Sequence, residues 1–166
     1  EEIIDKAFKF HSQGNIPEAA KYYKYFINQG FKHHRVFLNY GIILKNLGKF
    51  QEAEIYTLKA VEIKPDFAEG YLNLANISKN LGKLREAEIS LRKAIKIKPD
   101  LAEAHSNLGY LFKALGKLRE AEVSLRKAIE IKPYYANAYY NLGNILIDLG
   151  KLQEAEVSLR KAIDIK

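Results

Sequence analysis

Apolar and polar positions alternate with a helical period along this chain. Between residues 68 and 81, Leu74, Ile77, Ser78 and Leu81 fall on one side of a helical wheel, and Asn73, Asn76, Lys79 and Asn80 fall on the other. Gly82 follows directly and predicts a helix stop, because glycine takes positive φ without a side-chain penalty. A second helix is predicted from about Leu84 to Ile97. Leu84, Ala87, Leu91, Ala94 and Ile95 form its apolar stripe, and Glu86, Glu88, Arg92, Lys93 and Lys96 its outer face. Pro99 then closes the unit, since it cannot donate the helix hydrogen bond. Ala75, Ala87 and Ala94 are small where two helices must approach closely. No strand pattern competes with this reading.

The same two-helix unit recurs. Gly14, Gly48, Gly82, Gly116 and Gly150 are each 34 residues apart, as are Ala19, Ala53, Ala87, Ala121 and Ala155. Pro65, Pro99 and Pro133 keep the same period, and residues 68–101 match 102–135 at 22 of 34 positions. The chain therefore divides into one array of five repeats, 1–33, 34–67, 68–101, 102–135 and a shortened 136–166, with no linker or second domain.

The spaced residues resemble the tetratricopeptide repeat signature, in which an aromatic, a Leu-Gly pair, a second aromatic, an alanine, a third aromatic and a proline stand at fixed offsets. The fourth unit supplies His105, Leu108, Gly109, Phe112, Ala121, Leu125 and Pro133. The third supplies Tyr71, Leu74, Ala75, Ser78, Ala87, Leu91 and Pro99, and the second Phe37, Tyr40, Gly41, Leu44, Ala53, Thr57 and Pro65. The first unit departs most: Lys6 and Phe31 replace the leucine and the proline, and Tyr22, Tyr23, Tyr25 and Phe26 crowd together, as in a divergent terminal cap. The resemblance implies an all-α, right-handed superhelical α-solenoid of antiparallel helix pairs, whose first helices line a concave groove that binds peptide segments.

Variation between units agrees with that implication. The second helices are near copies, from Gly82 and again from Gly116, with only Ile89 exchanged for Val123, whereas the first helices differ at many positions. Within the variable helices Asn39, Asn73, Asn107 and Asn141 recur on the side away from the packing stripe. An asparagine amide offers a donor and an acceptor together, which suits the backbone of an extended peptide. The plain alternative is that the amides bond neighbouring helices or water. The wording Tyr140-Asn141-Leu142-Gly143-Asn144 is similar to the asparagine-lined repeats of bacterial O-linked N-acetylglucosamine transferase-like proteins. This adds Asn144 and Asn76 as candidates, and it raises a glycosyltransferase-type parent as an alternative.

Four amides contribute about 2–6 kcal/mol in all, and micromolar binding needs about 8 kcal/mol. Leu38, Leu72, Tyr110, Tyr140 and Phe8 are the groove-facing candidates for the remainder. Lys45, Lys79 and Lys113 form a second row, broken by Ile147, which at a groove edge favours an acidic or phosphorylated segment. An ordinary solvated lysine row is the alternative. The chaperone-binding members of the family use a carboxylate clamp of lysines. Here Leu38, Leu72, Ser106 and Tyr140 stand at those positions, which disfavours an acidic chaperone tail even with Asn76 and Asn107 at hand.

Charge changes this picture little. The net charge is +7, yet per repeat it runs only from 0 to +3, without aromatic and basic residues interleaved, so nucleic acid is not expected. Much of the charge lies in Glu88–Arg92, Glu122–Arg126 and Glu156–Arg160, four apart with glutamate first. With no cysteine there is no disulfide or zinc–thiolate site. His11, His33, His34 and His105 lack metal-ligand spacing, and His33-His34 reads as a loop. No catalytic constellation, phosphate loop or cofactor motif occurs, so a non-enzymatic module is expected. The opening Glu1-Glu2-Ile3-Ile4 does not read as a signal peptide and no run is long enough to span a membrane, which makes a cytoplasmic location the default. The stripe of Leu152, Ala155, Leu159 and Ile163, ahead of the closing Asp164-Ile165-Lys166, lacks a covering helix. Weak end-to-end self-association is expected there, as in an assembly scaffold or an excised piece of a longer array.

Overall fold

A computed structural model describes residues 2–165; Glu1 and Lys166, the outermost residues of the first and last repeats, lie outside them. Ten helices and no strand occur among the described residues. They are α1 (Glu2–Ser12), α2 (Ile16–Asn28), α3 (His34–Asn46), α4 (Phe50–Ile63), α5 (Ala68–Asn80), α6 (Leu84–Ile97), α7 (Ala102–Ala114), α8 (Leu118–Ile131), α9 (Ala136–Asp148) and α10 (Leu152–Asp164). Two compact units result, Glu1–Lys83 and Leu84–Lys166, with the division falling inside the third repeat, between α5 and α6.

Glycine punctuates the pairs as its spacing predicts. Gly116 has φ of 72°, the left-handed region that other residues avoid. The amide of Lys117 then reaches the carbonyl of Phe112 at 2.8 Å, and the amide of Gly116 that of Lys113 at 3.0 Å, so the last carbonyls of α7 are satisfied as the chain reverses. Helix starts are less guarded. Lys49, Lys117 and Lys151 stand at N-cap positions without a side-chain cap bond, and Glu52, Glu120 and Glu154 in the first turns complement the helix dipole instead. Asn15 does cap α2, accepting from the amide of Glu18 at 3.4 Å.

In the first unit α1 packs on α2, α3 on α4 and α4 on α5. Ala7, Ala19, Tyr23, Val36 and Ile43 are buried at its centre, and Phe10 stacks on Tyr22 with ring centroids 5.4 Å apart. The aromatic crowd of the divergent repeat is thus largely core, although Tyr25 is exposed. The second unit pairs α7 with α8 and α9 with α10 around Leu111, Leu125, Ile145 and Leu146. Close approach there uses missing side chains. A methyl group added at Gly109 would lie 2.6 Å from Cγ of Leu125.

Candidate peptide-binding site

The asparagine positions behave differently in the two units. Asn39 is half-buried and donates from Nδ2 to the hydroxyl of Tyr23 at 3.0 Å. Asn73 is only 6% exposed; it donates to Oγ1 of Thr57 at 3.1 Å and accepts from Nζ of Lys45 at 3.3 Å. In both cases the hydroxyl lies 16 residues earlier, on the second helix of the preceding pair. The expectation that these amides face away from the packing side fails at Asn73. The Thr57 hydroxyl is buried beside Gly41, which has no side chain to shield it, and accepts the amide N–H of Asn73. In the second unit the residue 16 positions before Asn141 is Leu125, fully buried and without a polar atom to offer. Asn107 is half-buried on α7, as Asn76 is on α5, where the Asn76 carbonyl accepts from Asn80 at 2.7 Å.

Other candidates separate in the same way. Leu38 and Leu72 are buried, Leu38 in a cluster with Phe37 and Ala60, so the first unit spends them on its own core. Phe8 likewise packs edge-on against Tyr23 and His33 at 5.9 and 6.0 Å. Leu38 packs with Ala60 of its own second helix and with Ile27 of the preceding one, and Phe8 is covered both by Tyr23 of α2 and by His33 at the start of α3, so each buried arc is wider than a single stripe. Tyr110 and Tyr140, in contrast, are 48% and 57% exposed.

The second unit gathers what remains. Tyr110, Lys113 and Ala114 of α7 and Tyr140, Asn141, Asn144 and Ile145 of α9 line a cavity of about 430 Å³. Five of these seven are residues the sequence singled out; Ala114 and Ile145 carry no polar or aromatic signal that could have marked them. Lys113 is not a lone cation, because its Nζ lies 3.1 Å from Oδ2 of Asp148 at the end of α9. Lys45 is likewise engaged by Asn73, and Lys79 is exposed on α5. Lys45 and Lys113 thus serve internal contacts.

The outer face carries the expected pairs. Arg92–Glu88, Arg126–Glu122 and Arg160–Glu156 close at 2.8, 2.9 and 2.6 Å. Arg126 also reaches Glu154 at 2.6 Å, and Lys151 reaches Glu122 at 2.9 Å, joining α8 to α10. Burial by itself would raise Glu122, but bonds from Lys151 and Arg126 outweigh it and hold the carboxyl below its usual range. Ile147, Leu152, Leu159 and Ile163 line an open cavity of about 440 Å³ on α10. At the other end, Glu2, Lys6 and Lys9 make the exposed side of α1 charged. Among the described residues no three histidine, aspartate or glutamate side chains gather as metal ligands, and no helix is long and apolar enough to cross a membrane.

Helix pairs repeated at one period, with a lined cavity on consecutive first helices, define an α-solenoid of helix–turn–helix repeats. The chain belongs to the tetratricopeptide repeat family: models described as TPR or tetratricopeptide repeats match residues 34–67, 56–89, 78–116, 109–146 and 136–166. Among solved structures, a crystal structure of MamA is 24% identical, with a TM-score of 0.85 over 96% of this chain and 93% of that one. MamA from Desulfovibrio magneticus RS-1 is 18% identical, with a TM-score of 0.86 over 98% and 92%. YrrB, described as a TPR protein with an unusual peptide-binding site, is 22% identical, with a TM-score of 0.80 over 99% and 84%. These likenesses concern the fold. No curated protein is significantly similar in sequence.

Proposed function

We propose that this array is a protein-interaction module that holds an extended peptide segment against α7 and α9. The observation that carries the reading is the cavity of about 430 Å³ bordered by Tyr110, Lys113, Tyr140, Asn141 and Asn144. The two amides present donors and acceptors at the spacing of one helical turn and match a peptide backbone irrespective of its side chains. The exposed rings of Tyr110 and Tyr140 supply the apolar area that the amides lack. Two amide contacts contribute about 1–3 kcal/mol, so affinity near the micromolar level rests mainly on burying these rings. The Lys113–Asp148 pair sets the charge preference: an acidic side chain must share Lys113 with Asp148, which weakens the preference for acidic segments. Asn107 of α7 belongs to the same path on this reading, and the outer rows remain solvated scaffold.

The array acts by binding and not by catalysis, and its proposed setting is the cytoplasm. The further idea of a glycosyltransferase-type parent rests on repeat wording alone. Random-peptide display against the intact chain and against a Tyr140→Ala, Asn141→Ala variant tests the main reading. Peptides enriched by the intact chain and lost by the variant support it. Equal enrichment by both removes the α7–α9 cavity as the site.

A second reading, a self-associating scaffold, is favoured by one feature, the exposed Leu152 and Ile163 on α10. The charged side of α1 is a poor complement to that stripe. Contact between two α10 faces therefore fits better than head-to-tail stacking.

A further inference from the structure

The turn between α2 and α3 ends in two adjacent histidines. His33 holds the N-cap position of α3 and makes no side-chain cap bond. Its Nδ1 is buried with no hydrogen-bond partner. Its ring stacks on that of His34, the first residue of α3, with centroids 5.0 Å and planes 21° apart. Phe8 of α1 meets His33 edge-on at 6.0 Å, and Phe67, just before α5, meets His34 at 4.9 Å. Phe8 in turn touches Tyr23 of α2 at 5.9 Å. A continuous run of rings therefore ties the first helix pair to α3, and two of its members titrate near neutral pH.

Every neighbouring influence but one opposes a charge on this pair. The guanidinium of Arg35 lies over Phe8 at 5.3 Å, and Nζ of Lys64 over Phe67 at 5.7 Å. Asp66 is the carboxylate that acts on His34 in the other direction. The start of α3 adds the positive end of a helix dipole. Burial and then Arg35 push His33 below the usual imidazole range. Burial, the adjacent His33, Lys64 and Arg35 do the same to His34, against Asp66. The unmet Nδ1 and the stacked geometry are what make the pair a device and not two ordinary surface rings.

We infer that the His33–His34 stack is an acid-sensitive joint. Uncharged, it holds α1 and α2 against α3; protonated, it parts and loosens the first helix pair while the rest of the chain stays folded. The sign follows from linkage. Both rings are depressed in the folded state, so their contribution is present above the unfolded value and is lost as pH falls through the folded values. Nothing in this inference depends on the peptide site.

Hydrogen exchange on the full chain tests it, at about pH 7.5 and about pH 5, on either side of an ordinary histidine. After correction for intrinsic rates, the amides of α1 and α2 should exchange about tenfold faster at the lower pH relative to those of α9. A His33→Asn, His34→Gln variant should show no such change. An unchanged ratio in the unaltered protein, or an equal rise in the variant, overturns the joint. If the variant fails to fold, the ring resonances of the unaltered protein decide. Faster exchange of α1 and α2 that sets in as these rings gain their protons supports the inference, and exchange that rises with no relation to either ring midpoint sinks it.

Discussion

Asn73 and Thr57 face each other inside the first unit, the amide nitrogen 3.1 Å from the hydroxyl, both side chains buried. Each is the other's way of being satisfied away from water, so neither can be changed alone without cost.

Thr57→Val should therefore destabilise the chain by about 1–3 kcal/mol, the penalty of a buried amide left unmet. Changing both residues to leucine leaves no polar group unmet and should recover much of this; Leu125 beside Gly109 shows that a leucine fits against a glycine at the place equivalent to Thr57. Urea unfolding of Thr57→Leu, Asn73→Leu and the double variant measures the coupling. Additive losses would mean that the bond contributes nothing.

Two glycines should respond differently to alanine. Gly109→Ala forces a methyl group into Leu125 and the carbonyl of Ala121, 2.6 and 3.1 Å away, at a cost of about 1–3 kcal/mol. Gly116→Ala meets open space and pays only for positive φ, about 1–2 kcal/mol. Thermal unfolding should show a lowered midpoint for both variants, and an unchanged midpoint for Gly109→Ala would show that Leu125 yields to the added methyl group.

Glu122→Gln removes the carboxylate that Lys151 and Arg126 share between α8 and α10. The expected loss is about 1 kcal/mol at low salt and shrinks as salt is added. Because the folded carboxyl titrates below its usual value, the contribution is present above that value and disappears as pH falls through the folded one. The melting temperatures of the two proteins should thus converge in acid, and a gap that persists there would assign the effect to packing.

Ile163→Glu should abolish any concentration-dependent light scattering of the chain by placing a charge on the exposed α10 stripe. Lys9→Leu, at the other end, should leave it unaltered if two α10 faces are what meet. A scattering signal indifferent to Ile163→Glu would remove the α10 contact.

Much of the architecture was readable from single positions. A glycine or proline acts locally, so Gly82, Gly116 and Pro99 ended helices where the period put them. Glu122 and Arg126, one turn apart, met for the same reason. Leu38 and Phe8 were misjudged because their burial depends on a second neighbouring element, Ile27 of α2 for Leu38 and His33 at the start of α3 for Phe8, which a one-stripe reading omits. The partners of Asn39 and Asn73 lie 16 residues back, a distance no helical period connects. His33-His34 read as a loop, whereas tertiary ring contacts set them at the mouth of α3. Tyr110 and Tyr140 were legible because the neighbouring second helices are near copies, which made any variable surface residue stand out.

The hydroxyl behind each early asparagine also bears on how such a chain can be rearranged. Tyr23 and Thr57 serve the helix that follows them, while Leu125, at the equivalent place before Asn141, has no polar atom to offer. Similar repeats are thus not interchangeable bricks: each second helix is fitted to its successor. Placing residues 34–67 directly before 136–166 would set Thr57 against Asn141 and draw that amide inward, closing a contact that the natural order leaves open. The serial order of the repeats is therefore itself part of the information the chain carries.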